Sequence, residues 1–213
     1  MPGVHDLALF VASGILLNLT PGADTLYIVT RGTTLGRKAG AVAALGIAAG
    51  CCVHIVAAGL GLSVLLATSA TAFTAVKLAG AAYLIYMGIG LWRSGPRAPD
   101  PAAKPPPAAP LSRIFVQGML TNILNPKVAL FFVAFLPQFV DAEAPHRLAA
   151  FLVLGTIFNT TGLVWNLFVA WSSEGIGRRM GGLFRHMHAL HRIAGAVFVA
   201  LGVKLAFSVR PTA

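Results

Sequence analysis

Two short polar interruptions hold the residues best equipped for chemistry. Asn18-Leu-Thr-Pro-Gly-Ala-Asp24 and Asn122-Ile-Leu-Asn-Pro-Lys127 each set a helix breaker, amides and one charge inside an apolar run of membrane-spanning length. A charge at the centre of a bilayer costs roughly 2.5–3.5 kcal/mol on insertion scales. A chain that accepts this twice is building a site. Proline at position i lacks the N–H that would bond the carbonyl at i−4. Pro21 therefore frees the Leu17 carbonyl, and Pro126 frees that of Asn122. Gly22 adds backbone freedom after the first break. Freed backbone groups at membrane depth are tolerated where neighbours satisfy them or where they line a cavity. Asn18, Asn122 and Asn125 are placed for either task. A restarted helix also offers N–H groups to an anion. A zwitterionic amino acid suits such surroundings, its carboxylate on a helix N-terminus or Lys127 and its ammonium on Asp24 or a freed carbonyl. The candidate substrate-binding set is Asn18, Pro21, Gly22, Asp24, Asn122, Asn125, Pro126 and Lys127, with Asp24 also the candidate proton-coupling residue. Two structural readings compete. The breaks can be plain proline kinks patched by Asn, and Asp24 and Lys127 can neutralise each other as an ion pair.

Other polar residues carry weaker signals. His54 lies within an apolar run and titrates near neutral pH when unperturbed, but a lone buried His more often packs. Tyr83 and Tyr86 share a helical face and line either a pathway or an interhelical contact. Asn159, Thr160, Thr161 and Asn166 suit a cavity wall or interhelical hydrogen bonds equally. His186-Met-His-Ala-Leu-His191 suggests a metal site, yet spacings of two and three share no helical face well. Cys51 and Cys52 are adjacent, a poor disulfide geometry, and read as small packing residues. No phosphate loop, nucleophile elbow or HExxH occurs, so the sequence nominates no enzyme, cofactor or metal.

Composition sets these motifs in a membrane. The 213 residues are 57% hydrophobic and 10% charged, with mean hydropathy +0.80, whereas soluble domains carry roughly 25% charged residues. Six apolar runs follow, near 7–30, 39–67, 73–92, 114–140, 148–171 and 193–209. Between the third and fourth, a stretch with seven of the thirteen prolines reads as a stiff solvated linker. The net charge of +10 belongs to short loops rather than to a nucleic-acid surface. Eleven Lys and Arg fall in the first, third and fifth connections (Arg31, Arg37, Lys38; Arg93, Arg97, Lys104, Arg113; Arg178, Arg179, Arg185, Arg192) against three opposite (Lys77, Arg147, Arg210). The positive-inside rule then predicts three cytoplasmic loops and both termini outside. Residues 1–30 hold no Lys or Arg, so the first run reads as a retained helix rather than a cleaved signal.

The halves echo each other. Lys77-Leu-Ala-Gly-Ala-Ala-Tyr83 in the third run matches Arg192-Ile-Ala-Gly-Ala-Val-Phe198 in the sixth, and the proline breaks fall in the first and fourth. Three spans per half force opposite orientations, the inverted-repeat plan of many secondary transporters. The expected fold is an all-α integral membrane protein of six transmembrane helices as two inverted three-helix repeats. It forms one transporter domain over 1–213, with repeats 1–92 and 114–213 and linker 93–113. Gly46 and Gly50 form a GxxxG that serves interior packing or a homodimer equally.

At these motifs the chain resembles the LysE/RhtB family of bacterial amino-acid exporters. The matching residues are Thr20-Pro-Gly-Ala-Asp-Thr-Leu-Tyr27, Arg37-Lys-Ala-Gly40, Ala44-Leu-Gly-Ile-Ala-Ala-Gly50, Lys77-Leu-Ala-Gly-Ala-Ala-Tyr-Leu84, Phe115-Val-Gln-Gly-Met-Leu-Thr-Asn-Ile-Leu-Asn-Pro-Lys127 and Phe131-Phe-Val-Ala-Phe-Leu-Pro-Gln-Phe139. The resemblance implies efflux of amino acids across the bacterial cytoplasmic (inner) membrane by proton antiport. It is closer to the RhtB branch, associated with homoserine and threonine, than to the basic-amino-acid branch. The Pro-rich linker and His-rich fifth connection depart from the family pattern. The partners implied are a small amino acid, protons and the lipid bilayer, with no nucleic acid. The rival readings are a cation exporter on a similar plan, a thiol–disulfide carrier and a non-transporting membrane anchor. One Asp and two adjacent Cys argue against the first two. Breakers and charges repeated at matching places argue against the third.

Overall fold

The computed structural model describes residues 3–68, 70–93, 109–141 and 144–207. The side chains of residues 62–68, 70 and 174–191, and of scattered positions between 72 and 91 and between 194 and 205, lie outside that description. Residues 94–108 of the Pro-rich linker and the side chains of Lys77, Tyr83 and His186–His191 therefore lie outside the described residues, while Leu111–Arg113 open α5.

Every described element is helical: α1 (Leu7–Leu19), α2 (Ala23–Leu35), α3 (Arg37–Thr68), α4 (Ala70–Arg93), α5 (Leu111–Ile123), α6 (Pro126–Leu130) and α7 (Arg147–Phe207). A π-helical turn (Phe131–Phe135) and a 3-10 turn (Leu136–Phe139) continue α6. Both proline motifs break their helices as their chemistry requires. α1 and α2 bend by 49° across Thr20–Gly22, and Leu111–Ile123 bends by 47° against Pro126–Phe139. Among the described residues, Arg37–Gly61 and Arg147–Ser173 are each long and apolar enough to cross a membrane, and the count reaches four if each bent pair is one span. Large apolar side chains such as Leu26, Val164 and Trp171 face outward, as a lipid-facing surface does.

One expectation needs correcting. The fifth and sixth apolar runs are not separated by a loop in the backbone; they belong to one unbroken helix, α7. The polar stretch between them contains glycines but no proline. Charge alone does not stop a helix.

Two cores fix the broken helices. In one, phenylalanines pack from three directions: Phe10 of α1, Phe131, Phe132 and Phe135 after α6, and Phe151 and Phe158 of α7. The Phe131 and Phe158 rings stack with centroids 4.4 Å apart. This pins the second break against α7, and Phe10 of α1 meets Phe131 with centroids 6.1 Å apart. The other core joins Ile28 of α2, Ala43 and Ile47 of α3, Ile114 of α5 and Val169 of α7. Here small residues set the spacing. A Cβ on Gly118 would stand 2.7 Å from the Ala43 carbonyl oxygen, and one on Gly50 would stand 2.5 Å from that of Met119. Gly46 likewise abuts the Phe115 backbone. The GxxxG face is thus filled by α5 of the same chain, which is the interior-packing reading.

Candidate functional site

The ends created by the breaks carry unpaired backbone groups, and side chains from the other half meet them. The Leu17 carbonyl, freed by Pro21, accepts from Lys127 Nζ at 2.8 Å. The Thr20 carbonyl accepts from the same nitrogen at 2.7 Å. An ammonium on the C-terminal carbonyls of α1 matches the negative end of the helix dipole. Asp24 sits in the first turn of α2, at the positive end of the restarted helix. The two charges therefore complement the two ends of one break.

The second break is built the same way. The Asn122 carbonyl, freed by Pro126, lies 3.1 Å from His54 Nε2 and also accepts from Asn125 N–H at 3.0 Å. Asn125 caps α6, its Oδ1 accepting from Lys127 N–H at 3.0 Å, with Pro126 following at the first helical position. That geometry aims Lys127 across at α1. Removing a cap of this kind costs about 1 kcal/mol. Asn125→Ala is expected to lower stability by that amount and to loosen Lys127, read as a lower melting temperature in detergent.

Asp24 and Lys127 do not form an ion pair. No Asp24 oxygen comes within 4.0 Å of Lys127 Nζ. Instead Asn122 Nδ2 donates to Asp24 Oδ2 at 2.8 Å. Asp24 Oδ1 is buried with no hydrogen-bond partner. The direct ion-pair reading thus fails on geometry: each charge is hydrogen-bonded to dipoles rather than to the other.

Asn18, Gly22, Asp24, Asn125, Lys127 and Asn166 line one cavity of about 30 Å³. That is room for a water or two, against roughly 300–1,000 Å³ for ligand pockets. As it stands the cavity is too small to hold an amino acid. Five of the eight residues singled out from sequence line this cavity. Pro21 and Pro126 shape it from the backbone, and Asn122 stands behind Asp24. Asn18 donates at 3.4 Å to the Phe158 carbonyl and to Thr161 Oγ1, tying α1 to α7. Asn159 donates to the Ala48 carbonyl at 3.2 Å, an interhelical bond, while Thr160 is exposed. His54 stacks on Phe132, centroids 5.9 Å apart, and so packs and serves the site at once. Tyr86 is largely exposed and does not line the cavity. Cys51 is buried and Cys52 exposed, both as free thiols.

One polar cluster was missed from sequence. Arg31 Nη2 donates to Gln117 Oε1 at 2.9 Å, its guanidinium 5.3 Å from the Tyr27 ring centroid. The Tyr27 hydroxyl donates to the Ile114 carbonyl at 3.0 Å. The i, i+4 spacing of Tyr27 and Arg31 on a helix was the available signal. The cluster ties α2 to α5 beyond the two breaks.

The family profile described as LysE type translocator matches residues 15–209. The chain belongs to the LysE type translocator family. It is 30% identical over 200 residues to the homoserine/homoserine lactone efflux protein of Salmonella typhi, covering 92% of this chain and 94% of that one. It is 28% identical over 204 residues to the leucine efflux protein of Salmonella choleraesuis, covering 96% of each. An uncharacterized membrane protein of Vibrio cholerae is 31% identical over 206 residues, 95% of this chain and 97% of that one. No solved structure matches the chain significantly. LysE membership makes the chain a translocator rather than an enzyme and agrees with the resemblance carried by the two proline motifs.

Proposed function

We propose that this LysE family protein exports neutral amino acids across the bacterial cytoplasmic membrane in exchange for protons, with a preference for homoserine- and threonine-like substrates. The observation that carries the proposal is the meeting of two interrupted helices around one cavity, with Asp24 and Lys127 held separately on it. A zwitterion needs both signs of charge within its own length, and a salt-bridged pair would offer neither. The names of the Salmonella relatives, for homoserine and leucine efflux, support a neutral substrate. The apolar walls supplied by Val128 and Phe158 suit its side chain.

In this reading the segments 1–92 and 114–213, joined by 93–113, rock about the site. The similar bends of 49° and 47° support equivalent roles for the two breaks. Asp24 carries the proton. Ionised, it only accepts hydrogen bonds; protonated, it also donates one. The Asn122 amide serves both forms, since a half-turn presents its oxygen in place of its nitrogen. The proton enters from outside as the substrate leaves.

Proteoliposomes preloaded with labelled homoserine, threonine, leucine and lysine test this. An acidic exterior is expected to accelerate loss of the neutral amino acids several-fold over a symmetric pH. Folded, inserted protein that releases no amino acid under either condition would sink the reading.

A further inference from the structure

Lys127 has a carboxylate on the wall of its own cavity and does not use it. Its ammonium takes two backbone carbonyls instead, Leu17 at 2.8 Å and Thr20 at 2.7 Å. Asp24, with Oδ1 buried and unpartnered, lines the same cavity. A lysine present only to neutralise Asp24 would sit on it. The seat it occupies is one for any primary ammonium: two carbonyl oxygens at the negative end of α1, that of Leu17 otherwise met only by Thr20 N–H at 3.2 Å, facing a group with three donors and no acceptor. The α-ammonium of an amino acid has the same three donors. Gly22 leaves the lysine stem uncovered on one side, since a Cβ there would stand 3.7 Å from Lys127 Cδ and 3.8 Å from Nζ.

We propose that Lys127 is a built-in surrogate for the substrate ammonium, exchanging with it on the Leu17 and Thr20 carbonyls. This rests on the amino-acid reading above and makes it more specific: the substrate must carry a free primary ammonium. When substrate enters, its ammonium takes the carbonyls and Lys127 moves to Asp24 Oδ1. One ammonium replaces another, so the Thr20 carbonyl is never left bare at membrane depth, where an unmet backbone group is costly. When the site opens outward, a proton on Asp24 removes the alternative seat. Lys127 returns to the carbonyls and the substrate is expelled. The titratable groups facing Asp24 are Lys127 on α6 and His54 and Cys51 on α3. Of these only Lys127 donates to the α1 carbonyls. Coupling then needs no contact between the proton and the substrate.

The test uses purified full-length protein in detergent, with methylammonium, tetramethylammonium and L-homoserine as probes. Lys127→Met is expected to melt below wild type and to recover with methylammonium but not with tetramethylammonium, which has the charge without the N–H donors. Removing an internal competitor for the seat is expected to tighten homoserine binding about tenfold. Gradient-driven efflux by the same variant is lost, since nothing ejects the substrate. Weaker homoserine binding by Lys127→Met overturns the proposal, because Lys127 would then be reading the substrate carboxylate. If Lys127→Met does not fold, wild-type protein supplies the answer: methylammonium must compete with homoserine, and independent binding of the two overturns the exchange. Methylammonium rescue with no binding of homoserine, threonine or leucine to either protein upholds the ammonium seat and sinks the amino-acid reading.

Discussion

Replacing Asp24 with Asn is expected to abolish gradient-driven efflux while leaving the protein folded. The substitution keeps the size and planar shape of the side chain. An amide oxygen at position 24 can still accept from Asn122 Nδ2, now 2.8 Å from Asp24 Oδ2. The loss to stability is a negative charge in the first turn of α2, worth about 0.3–1 kcal/mol. What is gone is the exchangeable proton. Under an imposed pH gradient the variant should release preloaded amino acid no faster than protein-free vesicles. Asp24→Glu keeps the carboxyl with one extra methylene and should retain part of the rate. The two are compared in the same vesicle preparation, with melting temperatures alongside. Undiminished gradient-stimulated efflux by Asp24→Asn would remove Asp24 from the coupling step.

The local chemistry of the breaks was legible in the sequence, and the pairing across them was not. The i−4 arithmetic of proline identified the Leu17 and Asn122 carbonyls as free, because it involves only the geometry of one helix. It could not say what would meet them. Lys127 is 110 positions from Leu17 and His54 is 68 from Asn122, and those approaches are set by the phenylalanine core. The same limit produced the competing ion-pair reading. Two opposite charges in hydrocarbon look like natural partners when nothing else is visible. Once α1 and α2 are seen as separate helices, their exposed ends hold Asp24 and Lys127 apart.

The unbroken α7 has a different cause. Hydropathy marks where a chain leaves the apolar phase, and the stretch around Arg178 and Arg179 is polar enough to read as a loop. Backbone continuity follows other rules. From residue 147 to 207 there is no proline, and isolated glycines cost only about 1 kcal/mol each relative to alanine. The GxxxG was legible as a close-packing face but silent about its partner. α5 offers the matching small residue, Gly118, and the two helices meet there.

That contact makes the second large prediction. Gly118→Ala is expected to disable export by displacing the second break. The added methyl would stand 2.7 Å from the Ala43 carbonyl oxygen and 3.4 Å from the Ile47 nitrogen, where ordinary contact begins near 3.4 Å. The first neighbour is backbone within α3 and cannot swing aside, so α5 must move. Helix propensity favours alanine over glycine by about 1 kcal/mol, whereas overpacking a tight contact costs about 1–3 kcal/mol. The steric term wins. Asn122 lies one turn beyond Gly118 on the same face of α5, so the shift is passed to its 2.8 Å bond with Asp24. In enzymes a misplacement of about 1 Å costs on the order of 10²-fold, and a comparable loss of efflux is expected here. Gly61→Ala is the matched control: nothing lies within 4 Å of its added methyl, so it should melt at or above wild type and transport normally. Equal melting temperatures and equal efflux for Gly118→Ala and wild type would mean that α5 can yield without disturbing Asn122. The α3–α5 contact would then not be what holds the two breaks in register.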